Sequence, residues 1–309
     1  MISVINISKE RRKIILIIFF VFIFLIFIYK WQVSTSNSYL FLGNINNSKE
    51  DYDEALRNYK YTMVIKGSKD AVYEARIQRA KIFYDHGELE NARQELLMAI
   101  DEKKSDSIVY EIMGDIYYTE RNINNAIIYY NKSEQINSSK DVKIKLGKSF
   151  IAINKNEKAF DMFFHLSLDS DDSEILYYLG LLDFYNNFEY NSFFQQVEKK
   201  GSDYEFELKM IKEFLENYRD IKDERYKNIL VADLYNKINQ PYLAIGKINE
   251  IGGNDLSYRD AWLIMGKSNF ILGNYEASFD NFQKASDIDS HNLEIAFWLK
   301  SSLGKIKNK

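Results

Sequence analysis

The sequence predicts an all-α protein, a row of about seven helical hairpins with a capping helix, preceded by one membrane-crossing helix; three observations carry that prediction. A small residue recurs at Gly43, Ala80, Gly114, Gly147, Gly180, Ala232 and Gly266, with separations of 37, 34, 33, 33, 52 and 34. Around each marker the apolar and aromatic residues fall at i, i+3, i+4 and i+7, the spacing of one helix face. One proline and 13 glycines in 309 residues are too few for a turn-rich all-β chain. Finally, residues 14–29 (IILIIFFVFIFLIFIY) are 16 consecutive apolar or aromatic residues.

In chain order, residues 1–13 form a basic flank with Lys9, Arg11, Arg12 and Lys13. The apolar run follows, and Trp31 and Val33 extend it to residue 33. At about 1.5 Å per residue, some 20 helical residues reach about 30 Å, the hydrocarbon thickness of a bilayer. Residues 14–33 are therefore expected to cross it, with Lys30 snorkelling beside Tyr29 and Trp31 in the headgroup layer. Only Lys30 follows the span closely, so the positive flank places the N-terminus in the cytoplasm and the remainder outside it. Ser34-Thr35-Ser36 offers the small residues of a cleavage site, but bulky Ile and Phe up to the end of the run favour an uncleaved anchor.

The repeat pattern is clearest over residues 260–292 (DAWLIMGKSNFILGNYEASFDNFQKASDIDSHN). Trp262, Met265, Gly266 and Phe270 mark one helix; Ser278, Phe279, Phe282 and Ala285 mark the next. Gly273 ends the first helix, and Asn274 is expected to cap the second through its side chain. Gly266 is expected opposite Ser278, two small residues letting the axes approach, with Trp262 and Phe282 filling the space on either side. The pattern returns as Tyr39, Leu42, Gly43, Ala55, Tyr59; as Ala80, Phe83, Ala92, Leu96, Ala99; and as Tyr110, Met113, Gly114, Tyr117, Ala126, Tyr130. Fainter copies are Leu146, Gly147, Phe150, Ala159, Phe163, Leu166; Leu176, Leu179, Gly180, Ser192, Gln196; and Val231, Ala232, Tyr235, Ala244, Ile248.

This arrangement resembles the tetratricopeptide repeat over residues 36–292. The implied division is a block of about five repeats (36–206), an extra helix or break (207–224), two further repeats (225–292), then a capping helix with a basic tail (293–309). Ser138, Asp171 and Ser290 stand where the family has proline, so those helix ends are expected to rely on polar caps. Gln196 and Lys199 occupy sites expected to be apolar or small, which predicts a loosely packed fifth unit.

Little in the chain suggests catalysis. The formal charge is -4, and with the +3 of residues 9–13 set aside the remainder is mildly acidic, so no nucleic-acid partner is expected. There is no cysteine, which excludes disulfides, thiolate metal sites and a catalytic thiol. His86, His165 and His291 lie in different repeats outside any metal-binding spacing, and the acidic run at 169–174 lacks the glycine of a calcium loop and reads as helix capping. Neither a phosphate-binding glycine loop nor a Gly-x-Ser-x-Gly elbow is present. The expectation is a noncatalytic protein without cofactor or metal.

The resemblance implies a protein or peptide partner held on the inner surface lined by each first helix. The residues expected there are Ile77, Lys81 and Tyr84; Glu111, Asp115 and Tyr118; Ile144, Lys148 and Ile151; and Tyr177, Leu181 and Phe184. The Lys and Asn clamp with which some relatives hold a chaperone's terminal carboxylate is missing from Leu40/Asn44, Ile77/Lys81 and Glu111/Asp115. The expected role is a membrane-anchored scaffold at the extracytoplasmic side of the envelope; the alternative is an envelope glycan-binding module using the same aromatic groove.

Overall fold

Helix α1 (Lys9–Ser48) carries both the apolar run and the first half of the first hairpin, with no loop between them. The computed structural model describes residues 9–65, 68–102, 106–218, 220–252 and 258–307; among these there are sixteen helices and no strand. Residues 1–8 of the basic flank and 308–309 of the tail lie outside the described residues. The chain divides into two compact units, Met1–Asn137 and Ser138–Lys309.

In the first unit, α1 pairs with α2 (Tyr52–Ile65), α3 (Lys69–Asp85) with α4 (Leu89–Glu102), and α5 (Ser107–Thr119) with α6 (Ile123–Ile136). In the second, α7 (Lys140–Ala152) pairs with α8 (Asn156–Asp169) and α9 (Ser173–Asn187) with α10 (Ser192–Lys199). The unpaired α11 (Glu205–Tyr218) follows, then α12 (Glu224–Lys237) with α13 (Pro241–Glu250), α14 (Arg259–Ile271) with α15 (Tyr275–Ile288), and the terminal α16 (Leu293–Lys307). The chain's one proline stands at the start of α13, where a missing N–H costs nothing.

One contact explains the recurring small residue. A Cβ added to Gly114 would lie 2.4 Å from the Tyr130 ring; Gly43 meets Tyr59 in the same way, Gly147 meets Phe163, Gly180 meets Phe194 and Gly266 meets Phe282. Each glycine is a seat for the flat face of an aromatic ring on the second helix of its hairpin. Ser278 does lie against Gly266 as expected, its hydroxyl donating to the Gly266 carbonyl at 2.9 Å, while the ring seated directly over the glycine is Phe282.

The hairpin turns share a second feature. Seven residues past the marker the backbone turns left-handed, at Glu50 (φ 62), Gly87 (φ 76), Arg121 (φ 62), Asn154 (φ 56), Asn239 (φ 56) and Gly273 (φ 69). That conformation ends the first helix and reverses the chain. Asn274 does stand at the start of α15, but its side chain makes no capping bond and donates to the Asn269 side chain at 3.4 Å. The acidic run behaves as expected, with Asp172 accepting from the Glu174 N–H at 2.9 Å to cap α9.

The fifth hairpin departs from the expected register. Its left-handed residue, Phe188, falls eight past the marker, and the ring over Gly180 is Phe194, two residues before Gln196. Phe194 and Val197 are fully buried while Gln196 and Lys199 are exposed, so this unit is tightly packed in a shifted frame. The extra helix also has a different consequence from a break, because α9, α10, α11 and α12 contribute Phe184, Phe194, Phe214 and Tyr235 to one continuous core. The division between compact units falls after Asn137.

Candidate functional site

The residues expected on the inner surface separate into two groups. In the first unit, Lys81, Tyr84, Glu111, Asp115 and Tyr118 are partly exposed on α3 and α5, while Ile77 is only 3% exposed and belongs to the core beneath them. The hydroxyls of Tyr84 and Thr119 lie 3.1 Å apart and join the two helices. Both charge signs and two aromatic rings are thus brought onto one face.

In the second unit the corresponding positions are covered by the chain itself. Ile144 and Ile151 are 5% exposed, Tyr177 is 1% exposed, and Leu181 and Phe184 are fully buried. Tyr177 stacks on Tyr204 at 4.0 Å, Phe184 packs edge-on against Phe214 and Tyr235, and the Tyr235 hydroxyl donates to the Leu181 carbonyl at 3.2 Å. This corrects the expectation that these five residues line an open groove: Tyr204, α11 and α12 cover Tyr177, Leu181 and Phe184, and Ile144 and Ile151 are buried in the same core. Lys148 remains partly exposed but pairs with Glu174 and lies 5.2 Å from the Tyr178 ring centre. Burial opposes its charge, but Tyr178 and Glu174 outweigh that cost and hold the ammonium pKa above its ordinary value.

Two arrangements in the first unit were not anticipated. The Tyr130 hydroxyl donates to Asp115 at 2.8 Å and the Tyr59 hydroxyl to Asn44 at 2.9 Å. The acceptor is the residue after the glycine in both cases. Where the seated ring is phenylalanine, the same position is Lys148, Leu181 or Lys267, none of which accepts a hydrogen bond through its side chain. Comparing repeats along the sequence would have revealed this pairing of acceptor with tyrosine. Asp115 therefore has a structural task as well as a place on the face. Burial and the neighbouring Asp115 carboxylate together push the Tyr130 phenol pKa far up.

The second arrangement is Glu95 on α4, 8% exposed, which receives Arg76 at 3.0 Å and Arg79 at 2.8 Å from α3. Arg79 also donates to the Leu56 carbonyl at 3.2 Å, so this cluster ties the second hairpin to the first. Nothing in the residue spacing distinguishes these arginines from solvent-facing ones. Among the described residues, no group of histidine and carboxylate side chains is arranged to hold a metal.

The family model for the tetratricopeptide repeat matches residues 108–140, the helices α5 and α6. The chain is 25% identical over 272 residues to a TPR repeat-containing protein of Methanocaldococcus jannaschii, an alignment covering 84% of this chain but 46% of that protein. The chain therefore spans about half the length of that relative. Among solved structures it resembles a tetratricopeptide repeat protein from Parabacteroides merdae, at 16% identity and a TM-score of 0.49, over 87% of this chain and 99% of that one. It also resembles MamA, at 21% identity and a TM-score of 0.47, over 55% of this chain and 96% of MamA. The family match and the relative support the tetratricopeptide reading of hairpins built from ring-seating glycines.

Proposed function

We propose that the protein is a noncatalytic scaffold anchored in a membrane through residues 14–33, its N-terminus cytoplasmic and its repeats outside the cytoplasm. The α3–α5 face takes a protein or peptide partner. Repeats of this type mediate contacts between proteins, because stacked hairpins offer a long, rigid surface. The supporting observation is the environment of the apolar run: every side chain from Leu16 to Phe27 is between 41% and 66% exposed. Such an uncovered apolar length in water would be a severe aggregation liability, and a bilayer removes it.

On the interaction face, Tyr84 and Tyr118 supply apolar anchors, while Lys81, Glu111 and Asp115 supply charges that set register. Two measurements test the reading. Protease added to intact cells should cleave the repeats, whereas cleavage only from the cytoplasmic side would overturn the topology. A photocrosslinking residue at Tyr118 should capture a protein neighbour that the same residue at Glu276, on α15, does not; equal capture at both would place the interface elsewhere.

A further inference from the structure

The two helices of the first hairpin are locked in a register that fixes the height of α2 relative to the apolar run. Tyr59 sits over Gly43, the Tyr39 and Tyr61 rings lie 5.1 Å apart, and the buried Ser36 hydroxyl donates to the Thr62 carbonyl at 3.2 Å. Thr62 is thus level with Ser36. Because α2 runs antiparallel to α1, its last three residues descend about 4.5 Å further, to the level of residue 33, only about 3 Å short of Trp31. No loop intervenes in α1, so this height is set by helix geometry alone.

At that level the surface has a mixed character. Tyr29 and Trp31 on α1 are 62% and 61% exposed, and Tyr61 and Val64 on the last turns of α2 are 46% and 67% exposed. Lys30 and Lys60 are exposed beside them. Aromatic rings, one aliphatic side chain and two long amines are the groups that distribute between acyl chains and phosphates.

We propose that the C-terminal end of α2 rests in the phospholipid headgroup layer, so that the first hairpin stands upright on the bilayer rather than swinging from a tether. This rests on the reading of residues 14–33 as a membrane span. The absence of cysteine allows single-cysteine spin labelling of the full chain in phosphatidylcholine vesicles. Labels would be placed at Phe24→Cys in the apolar run, Tyr61→Cys and Val64→Cys at the end of α2, and Asp53→Cys at its exposed start. The ratio of oxygen to nickel-chelate accessibility then reports depth. The expected order is Phe24 in hydrocarbon, Tyr61 and Val64 several-fold above Asp53 in that ratio, and Asp53 in water. If Phe24 reads as hydrocarbon while Tyr61 and Val64 match Asp53, the headgroup contact is wrong and the anchor stands. If Phe24 itself reads as water, both are overturned.

Discussion

A glycine beneath an aromatic ring is the smallest unit of this architecture, and its energetics are steric. At Gly114 any side chain begins 2.4 Å from Tyr130, a ring that is 2% exposed. Gly114→Leu is expected to lower stability by about 1–3 kcal/mol through overpacking. Chemical denaturation would show it as a lowered midpoint, and an unchanged midpoint would mean the ring is not confined. The hydroxyl end of the same ring makes a different prediction. Asp115→Leu leaves a buried phenol without the acceptor seen here, whereas Asp115→Leu combined with Tyr130→Phe removes both partners, as the phenylalanine repeats do. The double-mutant cycle should give a coupling of about 1–2 kcal/mol, with the double variant more stable than Asp115→Leu alone. Additive effects would dissolve the pairing.

Between helices, a half-buried cross-tie in the first unit is Glu95 with its two arginines. Removing the carboxylate strands two guanidinium groups in a half-buried site, so Glu95→Ala is expected to cost about 2–3 kcal/mol in thermal or denaturant unfolding. A loss below about 0.5 kcal/mol would class it with surface ion pairs. At the turns, Glu50 adopts the left-handed conformation that glycine occupies at Gly87 and Gly273. Glu50→Gly relieves a steric cost of about 1–2 kcal/mol, partly offset by glycine's greater freedom when unfolded, so a net gain of about 0.5–1 kcal/mol is expected. A lowered melting temperature would contradict it. Hairpins were legible in the sequence because the marker and its flanking residues recur at helical spacing, and residues 260–292 sufficed to define the unit. The fifth hairpin was read two residues out of frame because Phe194, not Gln196, reaches Gly180, across a turn whose own left-handed residue is also displaced. The α7 and α9 faces were misjudged for another reason. Whether Tyr177 or Phe184 meets solvent depends on Tyr204 and α11, which stand outside the repeat pattern, and on how α12 approaches α9, which repeat spacing does not specify.

Across the whole molecule, the 23 tyrosines divide into exposed rings such as Tyr29 and Tyr61 and a set of deeply buried phenols. Tyr59 and Tyr130 in the first unit and Tyr177 and Tyr235 in the second are each no more than 2% exposed. Burial is the main cause that raises all four, supplemented by the Glu74 carboxylate at Tyr59, Asp115 at Tyr130, Glu207 at Tyr177, and the Tyr185 phenol at Tyr235. Tyr59 is pushed up to about 12 from an ordinary value of 10.0, and the other three are also raised well above that ordinary value. The sign follows from linkage. A phenol whose pKa is higher in the folded state favours folding fully below the unfolded value, and that contribution is lost as pH rises through the folded one. Stability should therefore hold up to about pH 10 and decline above it, through about pH 12 for Tyr59. Because burial also raises the other three phenols, the chain is expected to open before they titrate. Alkaline titration followed by tyrosinate absorbance and helical circular dichroism should show a late, steep rise in absorbance that coincides with loss of helix. Completion of the absorbance rise for all 23 phenols with the helix signal intact would mean these rings are open to solvent, and the seating of aromatic rings on glycine would then fail as the basis of the repeat.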